Sequence, residues 1–255
     1  MTSRVVRGLL AVLALVALGS VPRATAVVST TAPADRSVAQ LIEDVQSADY
    51  TTREAATQAL MRLSPYHRGE IEAALARTSN EEAITRLEKA AVHLYMKPQI
   101  SLSGEVGFLG VHMTDELLQL DPKSGAVQSC IVVWKTQPGF PSAEVLEPGD
   151  RIIGINGERF SPDMSPDLFK EMIQKSRGGS VLQLSLIRNG RLMDVKVQLA
   201  GLRSEDTNPA AIADIVGARD RAAAEYRASL KTGRSGPLAT DRDEPPRNYY
   251  DGSGH

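Results

Sequence analysis

Cysteine is almost missing from this sequence. One thiol, Cys130, stands among 255 residues, so no disulfide can form within the chain. Its apolar setting, Cys130-Ile131-Val132-Val133, is that of a buried structural thiol rather than a nucleophile. Histidine is scarce as well. His67, His93, His112 and His255 are scattered, with no H-E-x-x-H pattern and no cluster at ligand spacing, which gives no support to a metal centre. Neither sign of charge prevails: 29 Lys and Arg face 31 Asp and Glu, and such a chain lacks the basic footprint that nucleic acid requires. No G-x-S-x-G elbow is present. No glycine-rich loop opens a long helix after a strand, so dinucleotide and phosphate sites have no support, and no cofactor is expected. The longest apolar run, Gly8 to Leu18, is shorter than the about 20 residues that a membrane-spanning helix takes.

That run follows Arg4 and Arg7 and precedes Ala24-Thr25-Ala26. A basic start, a short apolar core and an A-x-A site together read as a secretory signal peptide over residues 1–26, cleaved after Ala26. No cysteine follows the run, so a lipid attachment site is absent. Cleavage would remove Arg4, Arg7 and Arg23 and no acid, taking the formal charge from -2 to -5. The expected mature chain is soluble, periplasmic or secreted, with no stable membrane span.

Residues 27–36 are mostly Ser, Thr, Ala and Pro and read as a flexible leader. From 37 to 98 the pattern turns helical: Leu41, Ile42 and Val45, then Ala55, Ala56, Ala59, Leu60 and Leu63, then Ile71, Ala74 and Leu75, then Ile84, Leu87, Ala91 and Leu94. Each set returns every three or four residues, as a buried helix face should. Thr51 three residues before Glu54, and Ser79 three before Glu82, match the capping-box spacing. Pro65 separates two helices. Three or four short helices in a small bundle are expected.

Beyond Gly104 the texture changes to short β-branched runs punctuated by Gly and Pro. Residues 131–134, 151–155, 181–187 and 192–199 read as strands, the last two with clean alternation. Asn189-Gly190 between them is a hairpin signal. Pro166 to Gln174, with Leu168, Phe169, Met172 and Ile173, reads as a short helix with Pro in its first turn. Asn208-Pro209 opens a further helix across residues 203–231, with the stripe Ile212, Ile215, Val216, Ala223 and Tyr226 interrupted by Gly217 and Arg219. That helix could pack on the rest, bind a partner or stand exposed. Residues 232–255 read as a disordered tail.

Two motifs bring a family into view. Gly107-Phe108-Leu109-Gly110-Val111 is followed by Pro138-Gly139 and then by Pro148-Gly149-Asp150, a strand from Ile152 to Ile155, and Asn156-Gly157. In this order they resemble the PDZ domains of bacterial envelope proteins, including those appended to high-temperature-requirement serine proteases. The likeness covers most of residues 99–202. The fold class it implies is α+β: a PDZ-like, partly open β-barrel or sandwich with two short helices, flanked by a small all-α segment and a C-terminal helix. Within residues 37–98, the phrase Arg53-Glu54-Ala55-Ala56 resembles helical repeats of the HEAT type over about one and a half repeats, whereas arrays generally need three.

The PDZ resemblance implies a peptide groove. Phe108, Leu109, Gly110 and Val111 would turn successive N–H groups toward a ligand's terminal carboxylate. The strand through Val111, His112 and Met113 would offer a free edge to an extended peptide. Leu109, Val111, Leu168 and Met172 would line the pocket for the ligand's last side chain. Glu105 stands where some members carry a basic residue, which would weaken carboxylate affinity if it lay near the loop. The groove helix lacks the histidine that some members use to select Ser or Thr, so apolar end residues are expected. Pro148-Gly149-Asp150 and Asn156-Gly157 are scaffold turns.

Ser176 and Ser180 read as turn residues rather than nucleophiles, because nothing near them in sequence supplies an orienting group. The chain outside the module holds too few residues for a protease domain of its own. The expectation is therefore a non-enzymatic, exported adaptor that captures protein C-termini or extended segments. Alternatives are a regulatory or substrate-delivery partner of a separate envelope serine protease, a groove filled by the chain's own helix or tail, and a hydrolase.

Overall fold

The computed structural model describes residues 36–121 and 126–233. The expected signal peptide, the leader but for residue 36, and the tail but for residues 232 and 233, which continue the last helix instead, lie outside those residues.

Four helices form the N-terminal bundle: α1 (Val38–Asp44), α2 (Tyr50–Arg62), α3 (Arg68–Arg77) and α4 (Glu81–Met96). They bury Leu41, Val45, Leu60, Ile71, Leu75, Leu87 and Leu94 together, the residues that return at helical spacing. The caps fall elsewhere than expected. Asp49, not Thr51, accepts from the Thr52 N–H to start α2, and Asn80, not Ser79, accepts from the Ala83 N–H to start α4. Asp and Asn are stronger N-caps than Thr and at least the equals of Ser. A capping box is present at Ser37 and Gln40, before α1. Pro65 begins a 3-10 turn, Pro65–His67, that leads into α3.

The strands are β1 (Val106–Phe108), β2 (Val111–Asp121), β3 (Ala126–Thr136), β4 (Arg151–Ile155), β5 (Glu158–Arg159), β6 (Val181–Arg188), β7 (Arg191–Gln198) and β8 (Ala200–Leu202). Helix α5 (Pro166–Gln174) falls between β5 and β6, and α6 (Pro209–Gly233) closes the described chain. One sheet runs β2-β3-β4-β6-β7, with β5 paired to β4, while β1 pairs only with β8. Among the described residues the sheet does not close into a barrel, and β1 and β8 form a separate two-stranded sheet. Asn189 and Gly190 take φ of 51° and 74° in the β6–β7 hairpin, the left-handed pair that a two-residue turn of this hand requires. Between the sheet and α5 lies a core of Ile131, Ile152, Phe169, Leu184, Leu186 and Val197. Cys130 is fully buried, and burial pushes its thiol up to about 11, so it stays protonated and inert.

Bundle and sheet meet at His93, which is 1% exposed. The Gly139 N–H donates to its Nδ1 at 3.1 Å, which puts the proton on Nε2, 3.3 Å from Glu144 Oε1. Lys97 Nζ reaches the same carboxylate at 2.7 Å. Burial drives the imidazole below its ordinary value of 6.5, against the pull of Glu144 and with the help of Lys97 and Lys89. Glu144 is itself buried, which would raise it, but bonds from His93 and Lys97 hold it below the usual carboxylate range. Below an ordinary histidine pKa the unfolded chain takes up a proton that folded His93 refuses, so stability falls as pH drops. The slope reaches at most about 1.4 kcal/mol per pH unit. The melting temperature should decline from about pH 7 to about pH 5, and His93→Gln, which keeps an acceptor and a donor, should flatten that decline. An unchanged slope would remove His93 as its source.

Candidate functional site

A cavity of about 490 Å³ lies between the β1–β2 connection, the start of β2 and α5. Its floor begins where β1 leaves β8. The Gly107 N–H donates to the Ser176 carbonyl at 2.6 Å, and the Gln137 N–H donates to the Gly110 carbonyl at 2.8 Å, so the turn is pinned from both sides. Gly110 has φ +70°, and a Cβ there would stand 2.4 Å from the Phe140 ring. Phe140 in turn meets Phe108 at 5.4 Å between ring centres. The turn is thus moulded onto an aromatic pair. Among its polar groups, the N–H groups of Leu109 and Gly110 have no acceptor among the described residues. Two neighbouring backbone donors at a cavity wall form the kind of concavity that binds an anion.

Val111, His112 and Met113 line the cavity from β2, an edge strand whose sole partner among the described residues is β3. The Gln137 side-chain amide bonds to His112 Nε2, and the Trp134 ring lies 5.1 Å from the imidazole. Burial and the nearby Lys135 hold His112 below its ordinary value, against a weaker pull from Asp220, so it is neutral at pH 7. It faces the groove instead of open solvent.

The helix side of the cavity differs from the residues named by resemblance. Phe169, Lys170, Ile173 and Gln174 line it; Leu168 and Met172 do not. Leu168 is 42% exposed, and Met172 packs half-buried against the core. Helical phase explains the difference: Phe169 and Ile173 are one turn apart on the buried ridge, Lys170 and Gln174 lie about 100° to one side, and Leu168 and Met172 about 100° to the other. The hydrophobic pattern of α5 marks the ridge but not the flank that faces the groove. Lys170 was missed for that reason. Among the residues lining the cavity it is the one ionised side chain, and it has no ion-pair partner among the described residues. Glu105 is exposed, takes a hydrogen bond from Ser204 and does not line the cavity.

Five further lining residues, Pro209, Ile212, Ala213, Val216 and Gly217, come from α6. The stripe Ile212–Val216 was visible in the sequence, but its destination was not. Ser176 and Ser180 lie in the turn after α5, Ser176 through its carbonyl on Gly107 and Ser180 through its N–H on Arg177. Among the described residues no three His, Cys, Asp or Glu side chains gather to hold a metal, and no helix is long and apolar enough to cross a membrane.

Residues 97–187 match the family model of the PDZ domain. One solved structure, described as "HtrA-type protease AlgWS227A with decapeptide", is similar at 25% identity over 38% of this chain and 29% of that chain, with a TM-score of 0.28. The chain thus matches less than a third of that protease's length. No curated protein matches it.

Proposed function

We propose that the PDZ domain carried at residues 97–187, a peptide-binding protein-interaction module, serves here in an exported adaptor without catalysis of its own, which captures the C-termini of other proteins. The observation that carries this is the pairing of an apolar cavity with two unpartnered backbone donors, Leu109 and Gly110, at the head of an edge strand. An extended peptide adds to β2 through its backbone, and alternate side chains enter the groove. Its terminal carboxylate takes the two N–H groups, and its last side chain rests on Leu109, Phe169 and Ile173. Lys170 adds a positive charge to a site otherwise neutral, which favours a carboxylate over an amide. The signal-like residues 1–26 support export.

The test is titration of the purified full-length chain with peptides ending in Val, Leu or Phe, each as the free acid and as the amide. Hydrogen bonds to a charged group contribute about 1.5–3 kcal/mol. Amidation should therefore weaken binding roughly 10- to 100-fold. Equal affinity for both forms would overturn carboxylate capture, and binding of neither would overturn the adaptor.

A further inference from the structure

Helix α6 supplies part of the cavity that the sheet and α5 do not. Pro209, Ile212, Ala213 and Val216 recur at three- and four-residue spacing and face the opening together. The other half of α6 is fixed to different neighbours. Tyr226 stacks on Tyr95 of α4 with ring centres 4.0 Å apart and planes 7° from parallel. Arg227 pairs with Glu88 at 2.8 Å, and Asp220 with Lys135 at 3.0 Å. The Arg219 guanidinium lies 4.8 Å over the Phe140 ring and donates to the Pro138 carbonyl at 3.2 Å. Ala223 is buried against Val92 and Met96. These contacts clamp residues 219–230 to the bundle and to the segment beneath the carboxylate turn. Residues 209–217 then extend past the clamp to the groove.

They reach it without filling it. Ile212 and Val216 remain half-exposed, and about 490 Å³ stays open between them and Leu109, Phe169 and Ile173. That volume lies within the roughly 300–1,000 Å³ of ligand sites. A helix seated in the groove as its own ligand would have consumed the space. Asn208 caps this end of α6 through the Ala211 N–H at 2.8 Å, so the wall starts as ordered helix at the cavity itself.

We infer that residues 209–217 of α6 form a third wall of the peptide groove, and that Ile212 and Val216 close over the terminal side chain of a bound peptide and select it for apolar character. The inference rests on the peptide-binding function proposed above. It also gives the N-terminal bundle a role: α4 is the platform that holds this wall at a fixed distance from α5. Recognition therefore depends on residues outside the span matched to the PDZ family.

Full-length wild type, the double variant Ile212→Ser with Val216→Ser, and the control Ala224→Ser on an exposed face of α6 are titrated with free-acid peptides ending in Val, Leu, Phe or Ser. The double variant should bind the three apolar-ended peptides about tenfold more weakly and the Ser-ended peptide unchanged, with the control equal to wild type. A second variant, Val216→Phe, keeps the face apolar but narrows the slot, and should shift preference from Phe-ended toward Val-ended peptides. If wild type binds no C-terminal peptide, the groove function itself fails. If wild type binds and both variants keep its affinities and its order of preference, or the double variant binds more tightly, α6 is a bystander or a plug and the third wall is overturned.

Discussion

Replacing Arg188 by Met should cost the fold about 3–5 kcal/mol, the penalty for leaving a buried charge without its partner. Arg188 ends β6 and reaches the turn between β3 and β4. Its guanidinium donates to both carboxylate oxygens of Asp150, at 2.7 and 2.6 Å, and to the Val145 carbonyl at 2.8 Å, and it meets Glu147 at 2.5 Å. Asp150 is 1% exposed and also accepts from the Glu147 N–H at 2.9 Å. Burial already lifts Glu147 above the usual carboxylate range even with Arg188 beside it. Without the guanidinium, the buried Asp150 carboxylate is left beside the partly exposed Glu147, with the Glu147 N–H still donating to it. At about 2–4 °C per kcal/mol for a chain of this size, the melting temperature should fall on the order of 10 °C. Asp150→Asn combined with Arg188→Met should lose less than the two single changes summed, since the second removes the charge that the first exposes. A single-variant loss below about 1 kcal/mol, the range of exposed pairs, would show that water reaches Asp150.

The sequence carried different parts of this architecture with different clarity. Local signals located local structure. Asn189-Gly190 set the β6–β7 hairpin because only a left-handed pair closes that turn, and Asn208-Pro209 marked the start of α6 because cap and first-turn proline act within four residues. The turn between β1 and β2 was legible for a similar reason: Gly107 and Gly110 sit in one short phrase. What the sequence could not carry was phase and distance. The four apolar residues of α5 defined a buried ridge, yet the groove uses the flank with Lys170 and Gln174, and nothing within nine residues states which flank a neighbouring strand will face. Arg188 lies 38 positions from Asp150, and its ion pair exists only once β6 lies against β4. The clamp of α6 spans further still, since Tyr226 hydrogen-bonds Glu72 across 154 positions. The apolar stripe of Ile212 and Val216 could be read; what it would face could not.

Gly201→Ala is the smallest change expected to disable both fold and groove. A Cβ at Gly201 would stand 2.4 Å from the carbonyl carbon and oxygen of Ser103 and 2.7 Å from the Gly104 nitrogen. All three are backbone atoms, so no rotamer change relieves the contact. Gly178 stacks on the other side, its own Cβ position 2.4 Å from Gly201 Cα. Three chain segments thus meet here with no side chains between them, joined by the Gly201 N–H to the Ser101 carbonyl at 2.9 Å and the Gly178 N–H to the Gly104 carbonyl at 3.1 Å. One added methyl must push whole segments apart, at or above the about 3 kcal/mol that marks the upper range for overpacking. The displaced segments lead straight to the cavity: Gly107 pairs with Gly201 across β1 and β8, and two residues later the chain presents the Leu109 N–H. Peptide affinity should therefore fall at temperatures where the variant is still folded. Gly69→Ala on α3 is the contrasting case, with nothing within 4 Å of the added carbon, and should stabilise the chain by roughly 0.5–1 kcal/mol. Unfolding curves and peptide titrations of the two alanine variants separate a methyl that the backbone excludes from one that the helix welcomes, and equal stability in both would mean that β8 can retreat from Ser103 without carrying β1 along.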